Sequence, residues 1–254
     1  GARERLEKLM EAQPARERAY HRLHDLLAEA GDTHGLSQIV AQRLENIDDS
    51  DELERLFYEQ ARLHRSHGDL QDALFCLENL AMLNEGHVGG IALAIEINVA
   101  LEQWDDAVAA LRALATADVP NKQKRIALLG AADFLERKKG DSTAALTELR
   151  RIEELGLADN ALYVRMADVA LRAGQSEEAV RTLLNAADQY QGTERAHLLR
   201  RAGSVQREDL RDEGGALLSY RQALSIEPTN LESAEAVAAL LPPGEMRHAH
   251  AAEF

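Results

Sequence analysis

The sequence predicts an all-α fold, an α-solenoid built from stacked antiparallel helix pairs. We expect about five or six repeats and a terminal capping helix. Ala, Leu, Glu and Arg, which are strong helix formers, are abundant, and only five prolines interrupt the 254 residues. Aromatic residues make up only 4% of the chain, fewer than a sheet protein would use. A sparse pattern of small and apolar residues also recurs at intervals that suit one helix pair each.

The recurring pattern is centred on an alanine, which we call the anchor. Successive anchors are 34, 38, 34 and 37 residues apart: Ala73, Ala107, Ala145, Ala179 and Ala216. Large apolar residues stand four positions after them: Leu77, Leu111, Leu149, Leu183 and Tyr220. Mostly apolar residues also stand seven positions after them, and offsets of 0, 4 and 7 lie on one helix face. Each anchor is therefore predicted to face the core from an amphipathic helix.

The residues before each anchor predict a second helix and a turn. Glycine stands five residues before three anchors, at Gly68, Gly140 and Gly174. Glycine favours the positive φ of a helix C-terminal cap, so a helix is expected to end there. Ser176 is predicted to be the N-cap of the helix that follows. Small residues further upstream predict close helix approach: Ala61, Ala132, Ala167 and Ala202.

In chain order, the first element is a degenerate N-terminal helical part, residues 1–50, in which Leu36 holds the anchor position. Five repeats are predicted next, at about 51–86, 87–120, 121–157, 158–191 and 192–230. Residues 231–241 are predicted to form a capping helix that covers the open end of the stack. Residues 242–254 are predicted to be a disordered tail.

The turn glycine, the anchor alanine and the aliphatic residues after it resemble the tetratricopeptide repeat (TPR). The unit GALLSYRQALSIEPTN, Gly215 to Asn230, is most similar, with Pro228 at the family's terminating proline. The resemblance covers about residues 50–230 and implies a right-handed superhelix whose first helices line a concave groove. The composition resembles that of bacterial multi-repeat TPR proteins. The terminal Gly-Ala and Glu-Phe suggest a piece of a longer chain.

The resemblance also implies that a partner binds the exposed face of the first helices. In the 51–86 repeat this face carries three arginines and a tyrosine. Arginine binds carboxylates bidentately and tyrosine is a rigid anchor, so we expect the partner to be an acidic or phosphorylated peptide. The alternative is that the arginines are solvated or pair with Glu54 and Glu59 along their own helix. The predicted groove residues are Arg55, Tyr58, Arg62 and Arg65 in the 51–86 repeat, with Arg18 and His21 in the degenerate part.

The sequence contains no catalytic or cofactor motif that we can identify, so neither an enzyme nor a cofactor is predicted. Two histidine pairs have a spacing of three, His21 with His24 and His64 with His67. No further ligand stands nearby in sequence, and no metal site is predicted.

Bulk composition limits the partners and the location. The net charge of −15 disfavours binding to nucleic acid. No apolar run approaches the roughly 20 residues that span a bilayer, so no membrane insertion is predicted. A single cysteine, Cys76, and the lack of a signal-peptide core at the N-terminus favour a cytoplasmic location. Cys76 and Trp104 are both predicted to be core residues.

These observations favour a non-catalytic scaffold or adaptor that binds another protein or peptide. One alternative is a peptide- or ligand-sensing domain excised from a larger regulator. Another is an effector or adaptor of a small GTPase in bacterial polarity or motility. The oligomeric state and the identity of the partner stay open.

Overall fold

The computed structural model describes residues 1–13 and 16–241, so the predicted tail at 242–254 lies outside the described residues. Across the described part of the chain the secondary structure is fourteen α-helices without a strand. None of these helices combines the length and the apolar character that crossing a membrane requires. The chain divides into two compact units, Gly1–Ala131 and Ala132–Phe254, and the boundary falls within one helix.

In the first unit each helix from α1 to α6 packs against the helix that follows it, and α4 also packs against α6. The connections are short, which makes consecutive helices antiparallel neighbours. The helices are α1 Ala2–Ala12, α2 Glu17–Ala30, α3 Thr33–Leu44, α4 Ser50–His67, α5 Leu70–Leu83, α6 Val88–Ala100, α7 Trp104–Thr116 and most of α8 Asn121–Arg137.

The second unit repeats this arrangement, with consecutive helices from α9 to α14 in contact. Ala236 of the last helix packs on Ala216 and Tyr220 of the helix before it. The helices after α8 are α9 Ser142–Glu154, α10 Asn160–Arg172, α11 Ser176–Ala187, α12 Gly192–Glu208, α13 Glu213–Ile226 and α14 Leu231–Leu240.

The anchor residues belong to the buried core of the helix pairs. All five anchor alanines are fully buried, as are the four small residues predicted to allow close helix approach. The large apolar residue four positions after each anchor is also buried. Removing these apolar stripes from water is the main source of stability for such helices. The predicted all-α fold of repeated helix pairs is confirmed.

Glycines at helix C-termini and aspartates at helix N-termini cap several of the helices. Gly68, Gly140 and Gly174 have φ of 87°, 69° and 73°, so the predicted left-handed caps are confirmed. Asp141 and Asp212 are N-caps whose carboxylates accept hydrogen bonds from backbone N–H groups in the first turns of α9 and α13. These caps satisfy amide groups that the helix itself leaves without partners.

Two local predictions are wrong. Gln175, not Ser176, is the N-cap of α11, because the carbonyl of Gln175 accepts the first helical hydrogen bond, from the amide of Ala179. Trp104 is half-buried rather than a core residue. It is the first residue of α7, directly after the turn that joins α6 to α7.

Candidate functional site

Helix α4 turns the predicted binding residues away from the core. Leu56 and Leu63 are buried against neighbouring helices, and they set the rotation of α4 about its axis. On the opposite face Arg55, Arg62 and Arg65 are exposed and Tyr58 is half-buried.

Three of these residues, Tyr58, Arg62 and Arg65, line a cavity of about 590 Å³ between α4 and α6. Helix α6 contributes small residues on its side, Gly89 and Ala92, and these leave the space open. We call this space the α4–α6 cavity.

The position of Tyr58 depends on its neighbours in the first turn of α6. Its ring packs at 4.8 Å from the ring of His87. A Cβ atom on Gly89 would lie 2.9 Å from both Cζ and the hydroxyl oxygen of Tyr58, so glycine makes room for this side chain. The guanidinium carbon of Arg62 lies 5.9 Å from the centre of the Tyr58 ring, within the range of a cation–π contact.

The two carboxylates that line the α4–α6 cavity already have cationic or hydrogen-bonding partners. Glu96 of α6 forms an ion pair with Arg65. Glu59 lies 2.6 Å from Nε2 of His24, a residue of α2. Arg62, by contrast, forms no ion pair with any carboxylate among residues 1–13 and 16–241. The cavity therefore contains one arginine whose charge no carboxylate in the described part of the chain compensates.

The α4 arginines do not form the alternative ion pairs with Glu54 and Glu59 within the described residues. Glu59 contacts His24, as above, and Glu54 accepts a hydrogen bond of 2.9 Å from Nδ2 of Asn84. Both contacts join α4 to a residue outside that helix, 35 and 30 residues away in sequence. The spacing of residues within one helix could not predict them.

The other three predicted groove residues do not line this cavity. Arg55 donates from Nε to the backbone oxygen of Asp51, at 3.3 Å. Arg18 and His21 are exposed on α2, and Nε2 of His21 lies 3.7 Å from a carboxylate oxygen of Glu17. Their role in binding stays a prediction.

His64 has carboxylate neighbours that sequence spacing did not reveal. Asp69 and Asp72 bring oxygen atoms near its ring, and one ligand atom from each of the three residues lies within 4.8 Å of the others. The tight turn after α4 folds the start of α5 back onto His64, which explains the proximity. Three such groups are fewer than the four ligands of a structural zinc site.

Cys76 is buried in α5, and the prediction that it is a core residue is confirmed. Burial raises the pKa of its thiol to about 11, and the nearby charge of Asp72 acts in the same direction. The thiolate is the reactive form of cysteine, so Cys76 is inert near neutral pH.

A second cavity, of about 560 Å³, lies between α5, α6 and α7. Sequence reasoning missed it, although two signals were present. Asn98 interrupts the apolar helix VGGIALAIEINVA, and three alanines follow one face of α7, at Ala109, Ala110 and Ala113. We call this space the α5–α7 cavity.

Comparison with known proteins identifies the fold. No protein-family model and no curated protein matches the sequence. The solved structure of Naa15/Naa10 bound to HypK-THB matches with a TM-score of 0.54 at 14% identity, over 94% of this chain and 36% of that chain.

Two bacterial structures match over most of both chains. A tetratricopeptide repeat protein from Parabacteroides merdae ATCC 43184 is 19% identical, with a TM-score of 0.41, over 94% of this chain and 91% of its own. The C-terminal part of a TPR repeat-containing protein from Cytophaga hutchinsonii is 12% identical, with a TM-score of 0.44, over 92% and 93%.

Similarity at this level concerns the fold and not the function. The buried anchor alanines match the TPR pattern in all five predicted repeats, and glycine caps the turn before three of them. The chain has the all-α, helix-pair fold of tetratricopeptide repeat proteins.

Proposed function

We propose that this chain is a non-catalytic scaffold that binds an acidic segment of a partner protein in the α4–α6 cavity. The observation that carries the proposal is Arg62, which lies beside Tyr58 in that cavity without a carboxylate partner among the described residues. Helical-repeat folds offer extended binding surfaces. Because one fold can host many functions, we infer the function from the chemistry of the site and not from the fold.

The chemistry of the cavity suits a carboxylate or phosphate group. The guanidinium of Arg62 can donate two parallel hydrogen bonds to either group, and the Tyr58 ring provides a rigid surface for the adjoining apolar atoms. Arg65 adds a second cation, but its ion pair with Glu96 offsets much of that charge. The net charge of −15 repels acidic peptides elsewhere on the chain, so local attraction at Arg62 would provide specificity.

The test uses fluorescein-labelled peptide pools and fluorescence anisotropy. One pool carries Glu, Asp and phosphoserine at fixed central positions, and a second carries Gln and Ser in their place. We expect the acidic pool to bind the wild-type chain and to bind more weakly as salt is added. Arg62→Glu should weaken binding at least about 10-fold, which corresponds to about 1.4 kcal/mol.

The matched control is Arg55→Glu, which makes the same charge change on the same helix but outside the cavity. We expect its affinity for the acidic pool to stay within about two-fold of wild type. An equal loss in both variants would mean that only general electrostatic attraction is at work. Equal binding of the acidic and neutral pools would reject the proposal outright.

A further inference from the structure

The α5–α7 cavity has an apolar interior. Its floor is one face of α6, where Ile91, Ala94 and Asn98 follow each other at helical spacing. Leu74 and Phe75 of α5 form one wall, and the alanines of α7 form the other. Phe75 is 65% exposed, so a large aromatic side chain leaves apolar surface in water. Aromatic residues are few in this chain.

Two polar side chains without a hydrogen-bond partner among the described residues line this space. Asn98 is only 5% exposed, and it lines the cavity. Its carboxamide forms no hydrogen bond with any residue that the structure describes. Oε1 of Gln103, on the same lining, is also buried without a hydrogen-bond partner. A buried acceptor such as Oε1 of Gln103 is normally satisfied, so it indicates a missing partner.

The second unit contains the same three helices in the same register, and it shows how such a space is closed. Helices α5, α6 and α7 correspond to α9, α10 and α11 at a constant separation of 72 residues. The first residues of the paired helices are Leu70 and Ser142, Val88 and Asn160, and Trp104 and Ser176.

At the floor, the second unit fills the space with larger side chains. Tyr163 and Met166 stand at the positions of Ile91 and Ala94, and they are 4% and 1% exposed. Asn98 is replaced by the apolar Ala170, which is fully buried. The first unit therefore has a void and an unpaired carboxamide where the second unit has packed core.

At the rim, the second unit closes the space with an ion pair. Arg150 of α9 donates from Nη2 to a carboxylate oxygen of Glu178 of α11, at 2.8 Å. The equivalent residues in the first unit are Glu78 and Asp106, which are both acidic and exposed on the cavity lining. Neither forms an ion pair within the described residues, so the α5–α7 rim has two negative charges where the second unit has a bridge.

We propose that the α5–α7 cavity binds a segment of a partner protein that carries an apolar side chain next to a lysine or arginine. The apolar side chain occupies the space above Ala94. The cation lies between Glu78 and Asp106 and pairs with them, as the Arg150 guanidinium pairs with Glu178 in the second unit. Asn98 hydrogen-bonds to the backbone of the segment. This site has the opposite charge preference to the α4–α6 cavity and does not depend on it.

The experiment closes the cavity with the second unit's own residues. The variant Ala94→Met with Glu78→Arg reproduces the packing of Met166 and the bridge of Arg150, so it is expected to fold. Binding is measured by fluorescence anisotropy with three labelled peptide pools. The first pool places Leu or Phe beside Lys or Arg, the second replaces the basic residues with Glu, and the third replaces the apolar residues with Ser.

We expect the first pool to bind the wild-type chain at least about 10-fold more tightly than the other two. The A94M/E78R variant should lose at least that factor, with unchanged helicity and an equal or higher melting temperature. The double variant E78Q/D106N keeps the cavity open, so it should lose only the preference for Lys or Arg.

Arg62→Glu should leave binding of the first pool unchanged, which separates this site from the α4–α6 cavity. The proposal is overturned if the first pool binds no better than the control pools. It is also overturned if A94M/E78R binds that pool as the wild-type chain does.

Discussion

Arg43 of α3 lies buried against Glu52 of α4, with Nε 2.7 Å from Oε1 and Nη2 3.1 Å from Oε2. The guanidinium also lies 5.5 Å from the centre of the Tyr20 ring of α2. Arg43 is only 3% exposed, so this bidentate pair is largely desolvated. It joins three consecutive helices at the N-terminal end of the first unit.

Replacing Arg43 should destabilise the first unit strongly. Arg43→Ala leaves the carboxylate of Glu52 with little solvent and without its partner, and removing one member of a buried pair costs about 3 kcal/mol or more. Urea unfolding followed by circular dichroism measures the loss. Arg55→Ala, an exposed arginine on α4, is the control and should change stability by less than about 0.5 kcal/mol. Similar losses in both variants would contradict this role for the pair.

Two glycines inside helices should respond in opposite directions to alanine. A Cβ atom on Gly203 would lie 2.9 to 3.1 Å from the buried ring of Tyr220, so Gly203→Ala should cost about 1–3 kcal/mol through overpacking. At Gly130 the nearest atoms are methyl carbons of Leu111 at 3.5 and 3.6 Å, an ordinary contact. Gly130→Ala should stabilise by up to about 1 kcal/mol, since alanine is the better helix former. Thermal unfolding of both variants checks this contrast.

The turn after α4 should be sensitive to the loss of its glycine. Gly68 has φ of 87°, so Gly68→Ala forces alanine into the left-handed region and should cost about 1 kcal/mol. Gly214→Ala is the comparison, because this exposed glycine lies in the first turn of α13 and its Cβ would meet nothing closer than 3.7 Å. We expect no loss there. An equal effect in urea unfolding would show that the φ of Gly68 is not the cause.

The thiol of Cys76 should be protected in the native chain. With its pKa raised from 9.0 to about 11 by burial, the thiolate fraction near neutral pH is about 100-fold lower than in the unfolded chain. Labelling with a chromogenic disulfide reagent should be slow until denaturant is added. Ala81→Cys in a Cys76→Ala background moves the only thiol to an exposed position on α5 and should label at once.

The same pKa difference predicts a dependence of stability on alkaline pH. Between pH 9 and about 11 the unfolded chain has released the thiol proton and the native chain retains it. The free energy of unfolding should therefore fall across that window, and the contribution is complete below pH 9. The difference between the wild-type chain and Cys76→Ala isolates this effect. A difference that stays constant across the window would argue against a buried, protonated thiol.

The positions of the helix pairs were predictable because they depend on local spacing. Each anchor and the apolar residue four positions later face the core whatever the neighbouring pair contains, and Gly68 can be recognised as a cap from its place in the turn. Ser176 and Trp104 were misjudged because a shift of one residue at a helix end changes both the cap and the degree of burial.

The candidate site was predictable only in part. Helical periodicity brought Tyr58, Arg62 and Arg65 to one face of α4. It could not show that Glu96, which lies 31 residues after Arg65, would form an ion pair with it. The second cavity was missed, because spacing within one helix does not reveal a gap between three helices.

The sequence by itself determined the all-α fold class, the repeat interval and the faces that each helix buries, since these follow from side chains a few residues apart. Only the tertiary structure decided that Arg62 has no carboxylate partner among the described residues, and that the α5–α7 cavity is open where its counterpart in the second unit is closed. Both facts depend on side chains that meet across helices. The volume and charge of a contact between helices are properties of the assembled residues and not of any one of them.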